Sequence, residues 1–326
     1  MNTSYSQDLD KIWSIASDAD FEREALGAFR FQATHSPIYR DYLRMIECDV
    51  EGVLHSSQIP HLPIELFKSC DIYCGQRPPQ AIFTSSSTGG GGESRHLMCD
   101  LSIYERAFTD SFEHFYGDIR GWSIYALLPS YLEREGSSLI YMVDNMVKRA
   151  AGGGFYLYNH KELIEHLDAD ARPKILLGVS YALWDLAEHY PTPLRDTIVM
   201  ETGGMKGHRE QIGKGEFHEI LCRAFGVDKI HSEYGMAELT SQAYSKGDNL
   251  FEAPPWMRVS IRDINDPRSC LAPGALGGVN IIDLASRYSC PFISTQDLGR
   301  SFEDGAFTIE GRIAMSDIRG CNLLVQ

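Results

Sequence analysis

Short apolar runs and longer amphipathic stretches alternate through the first two thirds of the chain. The runs IYALLPS, FYLY, KILLGVS and TIVMETGG, between residues 124 and 204, are mostly apolar and too short for helices. Such runs suit strands covered on both faces. Helical patterns surround them. Tyr104, Phe108, Phe112 and Phe115 fall on one helical face, and SSLIYMVDNMVKR, HKELIEHL, YALWDLAEHY and EFHEILCRAF repeat the theme, the last closed by Gly226. Near the N-terminus Asp20 is placed to cap a turn carrying Glu22 and Glu24, with Phe21, Leu26, Phe29 and Phe31 as its apolar positions. Pro60 and Pro63 break IPHLPIELFKS, which predicts an extended segment before any helix resumes.

Alternation of this kind predicts right-handed crossovers and a mainly parallel sheet. After about residue 250 the texture changes to RVSIRDI, GGVNIIDL, PFIST and AFTIEG, separated by Gly, Pro and Asp turns. The expected architecture is therefore an α/β body over residues 1–250 and a smaller β-rich subdomain over 251–326.

Charge and cysteine usage narrow the class. A formal net charge of -15 over 326 residues argues against nonspecific binding to nucleic acid or anionic membrane. MNTSYSQDLDKIW lacks the basic start and apolar stretch of a secretory signal. No apolar run approaches the roughly 18–20 residues of a membrane span. Eight scattered cysteines include one close pair, Cys70 and Cys74, and no second pair to complete a zinc site. A cytoplasmic protein with reduced thiols is expected.

Four segments carry candidate chemistry. In IFTSSSTGGGGESRH a strand runs into hydroxyls and glycines, Thr84 to Gly92. Approachable backbone amides there suit a phosphate, although a flexible Gly/Ser linker has the same composition. Neither a P-loop nor a Rossmann fingerprint occurs. ETGGMKG puts Gly203 and Gly204 after an apolar strand, where open α/β sheets bind ligands or simply turn. HSEYGMAEL offers Tyr234 for stacking on a base and Glu238 for a magnesium ion; a solvated loop with a buried tyrosine is the alternative. TQDLGR places Asp297 after PFIS, as a ribose ligand or as a turn aspartate.

In this order the four segments resemble the adenylate-forming superfamily of acyl-CoA synthetases, peptide-synthetase adenylation domains and luciferases. TSSSTG is similar to that family's phosphate loop TSGTTG, which implies roles for Thr84, Ser85, Ser87, Thr88 and Gly89 on the phosphates of ATP. The resemblance assigns Gly203 and Gly204 to the adenine, with Tyr234 to Glu238 as the YGxTE motif and Glu238 on Mg²⁺. It assigns Asp297 to the ribose, joined by Arg312 of the downstream Gly-Arg. IPHLPIELFKS and TGGMKG look most like the acyl-protein synthetases, with phenylacetate-CoA ligases as relatives. That implies activation of a carboxylic acid, a long-chain fatty acid in the acyl-protein synthetases, as acyl-AMP. Transfer to a cysteine near the C-terminus would follow, and Cys321 occupies that place. Coenzyme A or a carrier protein is the alternative acceptor, and a non-catalytic acyl- or nucleotide-binding subunit is the alternative outside enzymes.

The chain departs from the family pattern at Ser86, at Ala237 and at GGGESRH, where the usual Pro-Lys is replaced and Arg95 is the candidate substitute. It ends nine residues after Asp317, so the family's mobile C-terminal domain, with its catalytic lysine, is expected to be absent.

Overall fold

Strand β4 (Ser123–Leu127) is buried along its whole length, and so is β6 (Lys174–Val179) beside it. With β5 (Gly152–Tyr156), β7 (Thr197–Thr202) and β8 (His231–Tyr234) they form a parallel array in the order β5-β4-β6-β7-β8. The antiparallel strand β9 (Ala243–Ser245) follows on β8. Parallel neighbours need crossovers, and the amphipathic stretches supply them. These are α5 (Ser138–Arg149), α6 (His160–Ala169), α7 (Ser180–His189) and α8 (Lys214–Phe225), preceded in the chain by α4 (Leu101–Tyr116). Gly226, at φ +63°, ends α8 in the left-handed conformation that the sequence anticipates.

The structure is a computed structural model that describes residues 10–85, 92–128, 136–203 and 212–313. Its described residues divide into two compact units. One draws on residues 1–104, 238–241 and 252–326, the other on 105–237 and 242–251. The parallel array belongs to the second unit. In the first, β11 (Met257–Arg262), β12 (Gly277–Asp283), β13 (Phe292–Ser301) and β14 (Phe307–Arg312) pair antiparallel in sequence order. Together the strands and helices make a mixed α/β fold, parallel from β8 to β5 and antiparallel from β11 to β14. The strand β10 (Leu250–Glu252) lies at the chain's passage between the units.

Around the antiparallel strands lie α1 (Asp18–His35) and α2 (Pro37–Met45), with Phe29 and Tyr39 packed on Phe292. The proline-broken segment is extended where expected: β1 (Leu62–Pro63) pairs parallel with β13, and the short α3 (Leu66–Ser69) follows. A two-stranded ribbon, β2 (Ala81–Thr84) and β3 (Arg95–Met98), brackets the glycine-rich loop.

Three local expectations shift. The first helix is capped by Ser17, whose hydroxyl accepts from the Asp20 amide, so Asp20 lies in the first turn. Strand β5 begins at Gly152, ahead of FYLY. Gly153 sits at φ +102°, and a Cβ there would overlap the Ile124 carbonyl. Close approach to β4 selects glycine here, and a glycine run reads as loop in sequence. Asp297 lies inside β13, because pairing with β14 carries that strand past PFIS to Ser301. Among the described residues no helix is long and apolar enough to cross a membrane.

Candidate active site

In the first unit the strand β2 delivers Thr84 and Ser85 to the mouth of the glycine-rich loop. Register pairs Thr84 with Arg95. The loop is closed just beyond by Ser94: the Ser85 amide donates to the Ser94 carbonyl at 3.2 Å, and the Ser94 amide returns to Ser85 Oγ at 3.2 Å. The two hydroxyls lie 2.6 Å apart. Ser94 is fully buried, and its hydroxyl also donates to Glu238 Oε1. One serine thus ties the loop's base to the carboxylate that the sequence singled out. Burial raises the Glu238 pKa, while the Ser94 bond and the charges of Arg312 and Lys68 oppose that shift.

Asp297 on β13 faces Arg312 on β14 as its direct Cα partner, with Nε 3.3 Å from Oδ1. Asp297 is 8% exposed, whereas the Arg312 side chain is 76% exposed. A pair with one partner in water contributes at most about 1 kcal/mol to folding. Arg95, the candidate for the missing lysine, is held at the surface by Asp71 at 2.7 Å.

The second unit carries its polar groups at the carboxyl ends of β7 and β8. Gly203 leaves β7 at φ +73°, with open space where a Cβ would stand. Its backbone conformation alone calls for glycine. Tyr234 ends β8, edge-on to Phe251 with centroids 5.9 Å apart. Beneath them lie two glutamates that sequence reasoning passed over. Glu201 accepts from Ser180 Oγ at 2.9 Å and Ser232 Oγ at 2.7 Å, and Lys214 Nζ stands 2.9 Å away. Burial alone would raise its pKa, but Lys214, His218 and Ser232 together hold it down to about 2. Glu233 accepts only from Thr202 among the described residues, and burial pushes its pKa up to about 7. The signal for both was a charged residue inside a run otherwise fit for burial.

Of the residues predicted from sequence, Thr84, Ser85, Glu238, Asp297 and Arg312 fall in the first unit, and Gly203 and Tyr234 in the second. Ser87, Thr88, Gly89, Gly204 and Cys321 lie outside the described residues. No group of three or more His, Cys, Asp or Glu side chains fit to hold a metal occurs among the described residues.

No protein-family model matches the chain, and no curated protein matches it in sequence. Solved structures do. The chain is similar to 2-hydroxyisobutyryl-CoA ligase in its postadenylation state with R3-HIB-AMP, at a TM-score of 0.69 and 14% identity over 91% of this chain and 68% of that one. An open form of the same ligase, with 2-HIB-AMP and CoA, matches at 0.65 and 13% identity over 91% of this chain and 70% of that one. ATP-bound MatB from Rhodopseudomonas palustris matches at 0.55 and 14% identity, over 71% of this chain and 48% of that one. The amide bond synthetase McbA from Marinactinospora thermotolerans matches at 0.52 and 19% identity, again over 71% and 48%. The chain spans about half the length of the MatB and McbA chains. Its fold is the mixed α/β fold that these adenylate-forming enzymes share.

Proposed function

We propose that this chain activates a carboxylic acid with ATP, forming its acyl-adenylate and releasing pyrophosphate. The observation that carries the reading is the Ser85–Ser94–Glu238 connection, which joins the base of a glycine-rich loop to a buried carboxylate. Its support is the fold held in common with ligases solved with ATP or an acyl-AMP bound. Backbone donors and hydroxyls of Thr84, Ser85, Ser87, Thr88 and Gly89 would cradle the phosphates. Gly203, Gly204 and Tyr234 would line the adenine, and Asp297 with Arg312 would hold the ribose.

Mg²⁺ fits this donor set in one specific way. Magnesium commonly binds through one or two carboxylates plus substrate phosphates while keeping several waters. Glu238 is one such carboxylate, and the absence of a three-ligand cluster among the described residues suits an ion that arrives with the nucleotide. Bound there, the ion would neutralise phosphate charge. The protein's own contribution is to orient the acid's carboxylate oxygen in line with the α-phosphorus.

For the acid we favour a fatty acid, and for the acceptor Cys321, on the resemblance to acyl-protein synthetases. Its thiolate would attack the mixed anhydride, forming a thioester and releasing AMP. The ligase structure holding CoA supports a second reading, in which coenzyme A takes the acyl group. Exchange of labelled pyrophosphate into ATP, measured across a panel of short, aromatic and long-chain acids, tests the first half-reaction. Acid-dependent exchange is expected; nucleotide binding without exchange for any acid would leave a non-catalytic subunit.

A further inference from the structure

Asp283 is the last residue of β12 and is completely buried. Its carboxylate collects five hydrogen bonds. Oδ2 accepts from the amides of Thr240 at 2.8 Å and Ser241 at 2.9 Å, and from Ser286 Oγ at 3.0 Å. Oδ1 accepts from Ser241 Oγ at 2.7 Å and the Ala285 amide at 3.2 Å. No cation pairs with it among the described residues, so backbone and hydroxyl dipoles alone stabilise the charge. A buried carboxylate without a counter-ion is an expensive way to hold a fold together, and a neutral side chain would avoid the desolvation. What the carboxylate achieves is specific: one oxygen binds two consecutive amides, which fixes that backbone in direction as well as position.

The fixed backbone is the strap 238–241, four residues that belong to the first unit while the chain on either side belongs to the second. Trp256 Nε1 reinforces it by donating to Ser241 Oγ at 2.8 Å, and Thr240 Oγ1 lies 2.9 Å from Ser286 Oγ. Between the first pinned amide and Glu238 stands only Leu239, itself buried. The Glu238 carboxylate can meet Ser94 only if this strap stays where Asp283 holds it.

We infer that Asp283 is a positioning residue, which acts through the strap to aim Glu238 at the magnesium ion of the nucleotide. This rests on the reading of Glu238 as the magnesium carboxylate. The role differs from plain stabilisation in what it moves: the coupling between magnesium and nucleotide binding changes, whereas nucleotide affinity without metal does not.

The test is isothermal titration of a non-hydrolysable ATP analogue into the full chain, at a series of Mg²⁺ concentrations and in EDTA. Wild type, Asp283→Asn, Glu238→Gln and the double variant are compared. Asp283→Asn should raise the Mg²⁺ needed for half-maximal enhancement of binding at least about threefold, in keeping with part of one charged hydrogen bond's worth of alignment. Affinity in EDTA should be unchanged, and the shift should vanish in the Glu238→Gln background. A folded Asp283→Asn protein whose curve superimposes on wild type, while Glu238→Gln shifts, overturns the inference and leaves Asp283 structural. Superimposed curves for Glu238→Gln would remove the magnesium reading itself, and this inference with it. Should Asp283→Asn not fold, Ser241→Ala keeps the carboxylate and both strap amides bound to it, and loses the two bonds of the Ser241 hydroxyl, to Asp283 and from Trp256. It should give a smaller shift in the same direction, and no shift there is equally a refutation.

Discussion

Glu201 and Glu233 lie on adjacent parallel strands, one step apart in the ladder, and their surroundings drive them in opposite directions. The register pairs Glu201 with Ser232 and Thr202 with Glu233. Alternation along a strand sends these two pairs to opposite faces of the sheet. On one face Lys214 and two serine hydroxyls keep Glu201 charged, with its pKa down at about 2. On the other, Glu233 has among the described residues one hydroxyl and no cation, and the charge of Glu201 adds to the burial that lifts its pKa to about 7.

That lift makes stability depend on pH with a defined sign. Between the ordinary carboxyl value of 4.5 and about 7 the unfolded chain releases a proton that the folded chain retains. Stability therefore falls as pH rises through that window and is flat above it. Glu233→Gln mimics the protonated acid without the titration. It should be more stable than wild type at pH 8, by at most about 3 kcal/mol, and the gap should close toward pH 4.5. Urea unfolding of both proteins at pH 4.5, 6 and 8 checks this. A gap independent of pH would mean that Glu233 keeps an ordinary pKa.

Loss of the Arg312 pair in Asp297→Ala should cost folding little, because that guanidinium is mostly in water. Nucleotide binding should weaken by about 1.5–3 kcal/mol, the usual worth of hydrogen bonds to a charged group. Titration with ATP and with 2′,3′-dideoxy-ATP separates the ribose role from a general electrostatic one. The variant should lose affinity for ATP and little for the dideoxy analogue, and an equal loss for both would take Asp297 off the ribose.

How far the sequence reached depended on whether a feature is local. The buried runs of β4, β6 and β7 and the helices between them announce themselves through periodicity, since covering both faces leaves few polar positions. Gly226 and the two prolines mark a helix end and an extended segment for equally local reasons. Strand β5 was obscured by glycines that its neighbour's backbone requires. The extension of β13 through Asp297 depends on β14, which only the folded chain brings alongside. Ser94 and Asp283 were invisible for the same reason: each matters through a residue more than 40 positions away, Glu238 or Ser241. No short window carries that information.

Cys321 is predicted to carry the acyl group. Protein incubated with ATP, Mg²⁺ and a long-chain fatty acid should gain the acyl mass at Cys321, as a thioester released by neutral hydroxylamine. Cys321→Ser should abolish the label and leave pyrophosphate exchange almost untouched, because only the second half-reaction uses the thiol. Peptide mass spectrometry locates the adduct. Label on another cysteine would move the acceptor, and exchange without label, turned into net product by coenzyme A, would favour the ligase reading.

Ser94→Ala removes the hydroxyl shared by the loop base and Glu238. The carboxylate stays buried and loses the bond that offsets its desolvation, so its pKa should rise further above the ordinary range. A carboxyl raised in the folded state weakens folding once pH exceeds its unfolded value. The variant should therefore lose about 1–3 kcal/mol at pH 8 and less near pH 4, where the acid is protonated folded or unfolded. Binding should move with it. Magnesium needs the ionised form, so the pH at which Mg²⁺ begins to enhance nucleotide binding should climb relative to wild type. Ser94→Thr retains the hydroxyl and should restore much of both. Denaturation and nucleotide titration across pH 5–8.5 read the two effects separately. If stability drops while the pH dependence of metal-enhanced binding is unmoved, Ser94 secures the β2–β3 ribbon and does not tune Glu238.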